Sequence, residues 1–292
     1  MPVRRIGKRD FDFDRRVAVM AVVNRTPDSF YDKGATFALD SAVAAAMQAI
    51  AEGADWVDIG GVPFGRGPEV TPEEEIARVV PVVERIVAAS EVVVSVDTNR
   101  AAVARAAIAA GAAVINDTSG LGDPDMLGVI SGTDATLVIT HSVGPPRAEK
   151  PAARYDDVVD EVVAFLRDRV ARAEAAGISR ERLIVDPGHD LDKNTLHSLE
   201  LTRRFDEIAA IGLPALAAVS NKDFVGESIG REQGHRLEGS LAAMVVCIMK
   251  GARIVRMHDV VQTVAAVRMT ETILGMRAPT RLEHNTHPTN NV

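Results

Sequence analysis

The sequence predicts a (β/α)8 barrel, with residues 1–276 forming one domain. Short apolar runs rich in Val and Ile alternate about eight times with Ala-rich segments of helical period, an order typical of parallel α/β folds. The first apolar run ends abruptly at Asn24, and a turn with Pro27, Asp28 and Asp32 follows it. Barrels place their chemistry at such carboxyl ends of strands.

Apolar runs between turn signals predict the strands, and helical periodicity predicts the segments between them. The predicted strands are residues 17–23, 55–60, 92–97, 113–116, 136–141, 182–186, 215–220 and 253–258. The predicted helices are residues 38–52, 72–89, 100–110, 124–131, 155–176, 196–210, 237–250 and 259–276. A doubly wound sheet is the structural alternative, but it favours a G-x-G-x-x-G turn after the first strand. That turn reads Asn24-Arg-Thr-Pro-Asp28 here, which favours the barrel.

Composition excludes several classes of protein. The chain has 292 residues, is 47% hydrophobic and 25% charged, and carries a net charge of −8. It has no basic stripe of the kind that binds nucleic acid, and no apolar run reaches the ~18 residues of a membrane span. The single cysteine, Cys247, lies in an apolar helical segment and is predicted to be buried rather than reactive. These features predict a cytoplasmic protein, with residues 277–292, rich in Asn, Thr, Pro and His, forming a disordered tail.

Polar residues end several predicted strands and share a face with the apolar residues two positions earlier. If these faces point into the barrel, the polar ends converge at its carboxyl mouth. The residues concerned are Asn24, Asp97, Asn116, Asp186, Ser220, Lys222, Arg256 and His258. Ordinary alternatives exist for several: helix capping for Asp97, turn formation for Asn116 and Asp186, and core burial for His258. Turn chemistry does not require the cationic members, so the complete set favours a site.

The acceptors in this set suit a flat heterocycle. Asp97, Asn116 and Asp186 offer carboxylate and amide oxygens to amidine-like N–H groups. Lys222 adds a donor near the same ring. The residue types therefore predict a heterocycle subsite.

A phosphate subsite is predicted beside it. Arg256 and His258 lie just before a predicted helix start, where cationic side chains and helix N–H groups attract anions. Asn24, Asp28 and Asp32 supply the oxygen ligands that Mg²⁺ prefers, particularly when phosphates share the metal.

Seven short motifs occur in order at barrel spacing, and with them the chain resembles dihydropteroate synthase over nearly its whole length. The motifs are Asn24-x-Thr-Pro-Asp-Ser-Phe30, Asp58-Ile-Gly-Gly61, Ser95-Val-Asp-Thr98, Ile115-Asn-Asp117, Asp186-Pro-Gly188, Ser220-x-Lys222 and Arg256-x-His-Asp259. The resemblance implies a (β/α)8 barrel that joins a hydroxymethyl-dihydropterin pyrophosphate to p-aminobenzoate and releases pyrophosphate. It also implies a homodimer packed through helices of the second half.

By position, the resemblance assigns residues to each part of the substrate. The residues expected to bind the pterin are Asp97, Asn116, Asp186 and Lys222. The residues expected to bind the pyrophosphate are Asn24, Arg256 and His258, with Mg²⁺ at Asn24. In this family the pyrophosphate leaves largely before the amine attacks, so positioned charges stabilise the leaving anion and the cationic pterin methylene.

The chain departs from the family on the side of the second substrate. The family's second loop reads close to Glu-Ser-Thr-Arg-Pro-Gly, whereas residues 62–68 read Val-Pro-Phe-Gly-Arg-Gly-Pro. Arg66 is the nearby candidate to replace the loop arginine. Leu191 stands where the family has an aromatic residue that packs the benzoate ring, and Ser220 is assigned to the same subsite.

The first loop differs as well, with Arg25 in place of a small apolar residue and Lys33 in place of a glycine. Loss of a closing loop and a bidentate arginine can lower a rate by ~10²–10⁴. The sequence therefore predicts a divergent family member that binds the pterin pyrophosphate but has weak or lost synthase activity. Two alternatives are a pterin-dependent methyltransferase, which has no need of an anion site at Arg256-x-His258, and a non-catalytic ligand-binding or regulatory barrel.

Overall fold

The computed structural model describes residues 2–24, 34–62, 69–143 and 154–284, and its main feature is a closed barrel of eight parallel strands. The strands are β1 (Arg4–Ile6), β2 (Arg9–Phe11), β3 (Ala18–Asn24), β4 (Trp56–Gly60), β5 (Val93–Asp97), β6 (Val114–Asp117), β7 (Thr136–Thr140), β8 (Leu183–Asp186), β9 (Ala215–Ala217) and β10 (Ala252–Met257). Strands β3 to β10 follow one another around the barrel in chain order, and β10 pairs with β3 to close it. The predicted (β/α)8 fold is confirmed, and the doubly wound sheet is excluded.

Helices follow the barrel strands and cover the outside of the barrel. They are α1 (Gly34–Ala51), α2 (Pro72–Ala89), α3 (Ala101–Ala109), α4 (Met126–Ser131), α5 (Val158–Ala175), α6 (Thr195–Arg203), α7 (Phe205–Ala209), α8 (Asp223–Ile229), α9 (Leu237–Met249) and α10 (Val260–Ile273). Helix α2 begins with a capping box in which the Thr71 hydroxyl accepts from the backbone N–H of Glu74 at 3.2 Å. Such a cap satisfies helix donors that have no partner within the helix.

Side chains alternate between the barrel interior and the helix layer along each strand. In β4, Trp56 packs inside the barrel, whereas Val57 and Ile59 pack against the helices. Val93 and Val114 are also interior residues. Because Asp97 and Asn116 lie four and two positions beyond these valines, the period of two directs all of these polar side chains towards the carboxyl mouth.

An N-terminal hairpin, which the sequence analysis did not predict, closes the amino end of the barrel. Strands β1 and β2 pair antiparallel, and Ile6, Phe11 and Phe13 pack fully buried into the interior cluster. The ring of Phe11 meets the edge of Trp56 with centroids 5.6 Å apart and stacks on Phe13 at 5.8 Å. Each strand has three residues, of which only one is apolar, so the hairpin gives no periodic signal.

Two predicted elements need correction. The predicted helix 196–210 is divided into α6 and α7 at Arg204, whose backbone leaves helical geometry at φ −110° and ψ 29°. The predicted strand 215–220 ends at Ala217, and helix α8 follows in a segment with no predicted helix. The left-handed backbone of Asn221, with φ 57°, turns the chain away from the strand direction before α8 begins.

Cys247 is fully buried in α9, as predicted, and burial raises its thiol pKa to about 12, which keeps it unreactive. Within the described ranges, no helix has the length and apolar character needed to cross a membrane. Helix α10 ends at Ile273, and residues 277–284 form neither helix nor strand. The rest of the predicted tail, residues 285–292, lies outside the described residues.

Candidate functional site at the carboxyl mouth of the barrel

A pocket opens at the carboxyl mouth of the barrel, and all four predicted pterin residues line it. The lining residues are Asp97, Asn116, Thr118, Thr140, Asp186, Gly188, His189, Leu191, Ala218, Lys222 and Arg256. These side chains come from β5, β6, β7, β8 and β10 and from the connections that follow the strands. The structure therefore brings the predicted pterin residues together with Arg256 and Leu191 in one concave site.

Asp58 is the hub of the polar network beneath this pocket. Its fully buried carboxylate accepts from Ser95 Oγ at 2.6 Å and from Asn116 Nδ2 at 3.1 Å. It also accepts from Arg256 Nε at 2.6 Å, while Arg256 Nη2 donates to Asp97 Oδ2 at 3.2 Å. A buried charge needs partners of this kind. Asp58 thereby fixes a guanidinium and an amide that both reach the pocket wall.

Three buried polar atoms in the pocket wall have no hydrogen-bond partner among the described residues: His189 Nδ1 and two oxygens. The oxygens are Asn116 Oδ1 and Thr140 Oγ1, in residues that are 2% and 1% exposed. Leaving such groups unpaired costs about 1–3 kcal/mol each, so buried polar atoms are nearly always satisfied. Both oxygens belong to residues that line the pocket, where they are available to the donor groups of a ligand.

The two pocket carboxyls hold protons more readily than usual. Burial raises the pKa of Asp97 to about 7; the positive charge of Arg256 opposes this rise and the negative charge of Asp58 adds to it. Burial likewise raises the pKa of Asp186, whose Oδ1 accepts from the backbone N–H of Gly188 at 2.7 Å. Acidic groups with raised pKa values in a cleft are typical of functional sites.

Lys222 is the pocket ammonium. Its Nζ donates to the backbone carbonyl of His189 at 3.0 Å, and burial lowers its pKa although Asp190 opposes the change. The His189 ring is fully buried, its Nε2 lies 3.2 Å from Thr202 Oγ1, and burial lowers its pKa to about 3. His189 is therefore neutral at physiological pH. Its backbone carbonyl positions the ammonium of Lys222, which is the donor in the pocket.

His258 and Ser220 form a second pair at the rim rather than in the pocket wall. His258 Nδ1 lies 2.9 Å from Ser220 Oγ, which also accepts from the His258 backbone N–H at 3.2 Å. His258 immediately follows β10 and precedes helix α10, as the predicted anion site requires. Partial burial and the neighbouring Arg256 lower its pKa.

The loop that carries Leu191 is fastened at both of its neighbours. Asp190 and Asp192 adopt left-handed φ values of 63° and 54°, a conformation that glycine adopts with less strain. Asp190 Oδ2 accepts from the Asp223 backbone N–H at 2.6 Å, at the start of α8, and Asp192 Oδ2 accepts from the Val143 backbone N–H at 2.6 Å. These bonds hold Leu191 against the pocket.

Lys193 anchors the same loop from below, through its buried ammonium. Its Nζ lies 2.8 Å from His141 Nδ1 and donates to the carbonyls of Gly188 at 3.0 Å and Leu191 at 2.8 Å. Burial and this cation lower the pKa of His141 to about 3, so the imidazole is a neutral acceptor. The loop is thus held by charges as well as by packing.

Several predicted site residues lie outside the described part of the structure. The backbone of Asn24 ends β3 beside Gly60 of β4, but its side chain lies outside the described residues. Arg66 and the altered positions Arg25 and Lys33 also lie outside the described residues. Among the residues that the structure describes, no group of three or more His, Cys, Asp and Glu side chains is arranged to hold a metal.

The polar network contains residues that the sequence analysis did not single out as functional. They are Asp58 and Ser95, which stand within two of the seven motifs, and Thr118, Thr140 and Lys193. Asp58 lies two residues after Trp56 on the interior face, so the alternation of β4 was the signal that could have identified it.

Comparisons with known proteins agree with this geometry. Residues 20–258 match the family model described as "Pterin binding enzyme". The chain is 47% identical over 272 residues to a Mycobacterium leprae protein named "Inactive dihydropteroate synthase 2", covering 91% of this chain and 94% of that protein. It is 40% identical over 266 residues to the dihydropteroate synthase of Escherichia coli strain K12, again covering 91% and 94%.

Among solved structures, a dihydropteroate synthase from Xanthomonas albilineans in complex with 7,8-dihydropteroate superposes with a TM-score of 0.82 at 37% sequence identity. The match covers 94% of this chain and 99% of the other. The fold, the sequence identities and the family model agree with one another. The pocket is lined by residues of the motifs that carry the resemblance. The chain belongs to the dihydropteroate synthase family of pterin-binding enzymes.

Proposed function

We propose that the chain binds a hydroxymethyl-dihydropterin pyrophosphate at the carboxyl mouth of the barrel, and that it condenses p-aminobenzoate with this compound weakly or not at all. The unsatisfied, buried Asn116 Oδ1 in the pocket wall, flanked by two carboxyl groups, is the observation that carries the first half of the proposal. The altered second-substrate side carries the other half.

The pterin half follows from donor and acceptor chemistry. A pterin ring presents amino and ring N–H donors along one edge and a carbonyl oxygen beside them. Asp186, Asn116 Oδ1 and Thr140 Oγ1 supply acceptors for that edge, and Lys222 supplies a cationic donor for the carbonyl. In their charged forms the carboxyls accept strongly, because burial removes competing water.

The phosphate half rests on Arg256 and His258. Arg256 reaches the pocket while two carboxylates hold it, and His258 lies at the rim before the first turn of α10. Asn24 at the end of β3 is proposed to hold Mg²⁺, because amide oxygens are among the ligands that this ion prefers, particularly when phosphates share the metal. When bound, it would neutralise charge on the leaving pyrophosphate.

The second-substrate side supports weak or lost condensation. Leu191 lines the pocket in place of an aromatic residue, so stacking on a benzoate ring is reduced. The similarity to mycobacterial proteins named as inactive synthases supports the same conclusion.

Calorimetry tests the binding half. The chain is titrated with hydroxymethyl-dihydropterin pyrophosphate and with hydroxymethyl-dihydropterin alone. Binding that is tighter for the pyrophosphate compound supports the proposal. Equal affinity for the two compounds would favour the methyltransferase alternative, and absence of binding would favour a non-catalytic barrel.

We propose in addition that the protein acts in the cytoplasm as a homodimer. The outer faces of the neighbouring helices α9 and α10 carry exposed large apolar side chains, which indicate an interaction surface. They are Val246, Met249, Val261, Met269 and Ile273. Sedimentation velocity of the chain and of the double variant Met249→Lys/Met269→Lys tests this, because the variant should sediment as a monomer.

A further inference from the structure

A second pocket lies at the amino end of the barrel, opposite the candidate site. It is formed by the start of β3, the turn before β4 and the C-terminal half of α10, and its volume of about 340 Å³ falls within the range of small-molecule sites. The lining residues are Arg15, Arg16, Val17, Val19, Gly53, Asp55, Val264, Val267, Arg268, Glu271 and Arg277. Four of these residues are arginines and two are acidic.

The two acidic residues are buried and already paired. Asp55 is 6% exposed; its carboxylate accepts from the Val19 backbone N–H at 3.1 Å and pairs with Arg9 at 3.2 Å and with Arg16. These bonds use the lone pairs of Asp55 on groups that belong to the fold. Asp55 therefore anchors the pocket floor and is not available to bind a cation.

Glu271 is 6% exposed and has the same role on the α10 side. Its Oε1 accepts from the Val17 backbone N–H at 2.7 Å, and its Oε2 lies 3.5 Å from Arg277. The carboxylate thus ties α10 to the start of β3. Both negative charges of the pocket are therefore paired with groups of the fold.

Two of the four pocket arginines do not pair with these acidic residues. Among the residues that the structure describes, the guanidinium groups of Arg15 and Arg268 make no hydrogen bond and no ion pair, although they face the same pocket. The four arginines and two acids leave an excess of two positive charges in a chain whose net charge is −8. A concave, locally positive surface of this kind raises the local concentration of anions.

We propose that this pocket binds a small polyanion that carries phosphate groups, at a site separate from the candidate active site. Guanidinium forks bind phosphate oxygens in pairs, and two uncommitted arginines match a ligand with at least two negative charges. The lining contains no aromatic side chain, so a nucleobase has nothing to stack on. The ligand class is therefore an inorganic polyphosphate or a compact phosphate ester.

Methyl NMR on the full chain tests this site independently of the proposed function. The methyl groups of Val264 and Val267 report on the pocket, and the probes are inorganic pyrophosphate and phenyl phosphate. We expect these methyl resonances to shift on titration with at least one probe. The probe that binds more tightly shows whether an inorganic or an ester phosphate is preferred.

The matched variants are Arg15→Gln/Arg268→Gln and the control Arg105→Gln/Arg167→Gln. Both pairs are exposed and both remove two positive charges, so neither should disturb folding. We expect the pocket variant to weaken probe binding at Val264 and Val267 at least ~10-fold, with the control unchanged. The proposal would be overturned if neither probe shifted these resonances, or if both variants weakened probe binding equally.

Discussion

Arg256 and Asp58 are 198 positions apart in the chain, yet their side chains meet at 2.6 Å beneath the mouth of the barrel. The same carboxylate holds Asn116, so one fully buried aspartate orients both a cation and an amide of the pocket wall. The site is thus positioned before any ligand arrives, which is the arrangement expected of a preorganised binding site.

Replacement of Asp58 by alanine is expected to destabilise the fold strongly. It leaves Arg256 with one carboxylate partner and removes the acceptor of Ser95 and Asn116. Removing one partner of a buried pair costs about 3–5 kcal/mol. Urea denaturation measures the free energy of unfolding, with exposed Asp134→Ala as the control, expected to change it by less than about 0.5 kcal/mol. Equal effects of the two variants would refute the role of Asp58.

The raised pKa of Asp97 predicts a pH dependence of stability. Its folded-state pKa is about 7, whereas the pKa of an aspartate in the unfolded chain is close to its ordinary value of 3.8. Between these values the folded state binds more protons, so this group lowers stability as pH rises from about 4 to about 7. The unfolding free energy of Asp97→Asn, relative to that of the unmodified chain, should rise over this interval and level off above it. A difference that stays flat would show that Asp97 titrates normally.

Asp186→Asn is expected to weaken pterin binding by about 10- to 100-fold. The amide keeps an oxygen for the Gly188 N–H but loses the negative charge that accepts from a ligand, and charged hydrogen bonds contribute about 1.5–3 kcal/mol. Calorimetry with hydroxymethyl-dihydropterin pyrophosphate measures the change, and Asp134→Asn provides the control. Unchanged affinity would remove Asp186 from the pterin site.

Phe11→Ala is expected to lower the free energy of unfolding by about 3–5 kcal/mol, since Phe11 fills the amino end of the barrel. The loss of its contacts with Phe13 and Trp56 leaves a cavity at the base of the interior. Val3→Ala, at a position 59% exposed just before the same hairpin, is the control. If denaturation shows no difference between the two, the hairpin does not contribute to the core.

The sequence predicted the barrel because eight strands are continuous apolar runs that are buried on both faces. It missed the β1–β2 hairpin, where Arg4, Arg5, Arg9 and Asp10 hide the apolar signal in strands of three residues. It also extended β9 to residue 220, because the apolar run continues while the backbone has already left the sheet. In both cases contacts between residues distant in the chain, and not the local sequence pattern, determined where the strands form.

The site was predictable to the extent that polar residues end apolar strands. Asp97, Asn116, Asp186, Lys222 and Arg256 do converge in one pocket. The Asp58 network depends on which side chains meet across the interior, and a linear sequence shows only that each faces inward. The binding roles of these residues stay predictions, as do those of Asn24, Arg66 and His258.

Turnover of both substrates tests the central claim most directly. The chain and the Escherichia coli dihydropteroate synthase are supplied with hydroxymethyl-dihydropterin pyrophosphate and Mg²⁺, with and without p-aminobenzoate, and the release of pyrophosphate and the formation of dihydropteroate are followed. We predict that this chain binds the pterin pyrophosphate but forms dihydropteroate at least ~10²-fold more slowly than the bacterial enzyme. Dihydropteroate formation at a comparable rate would contradict the account.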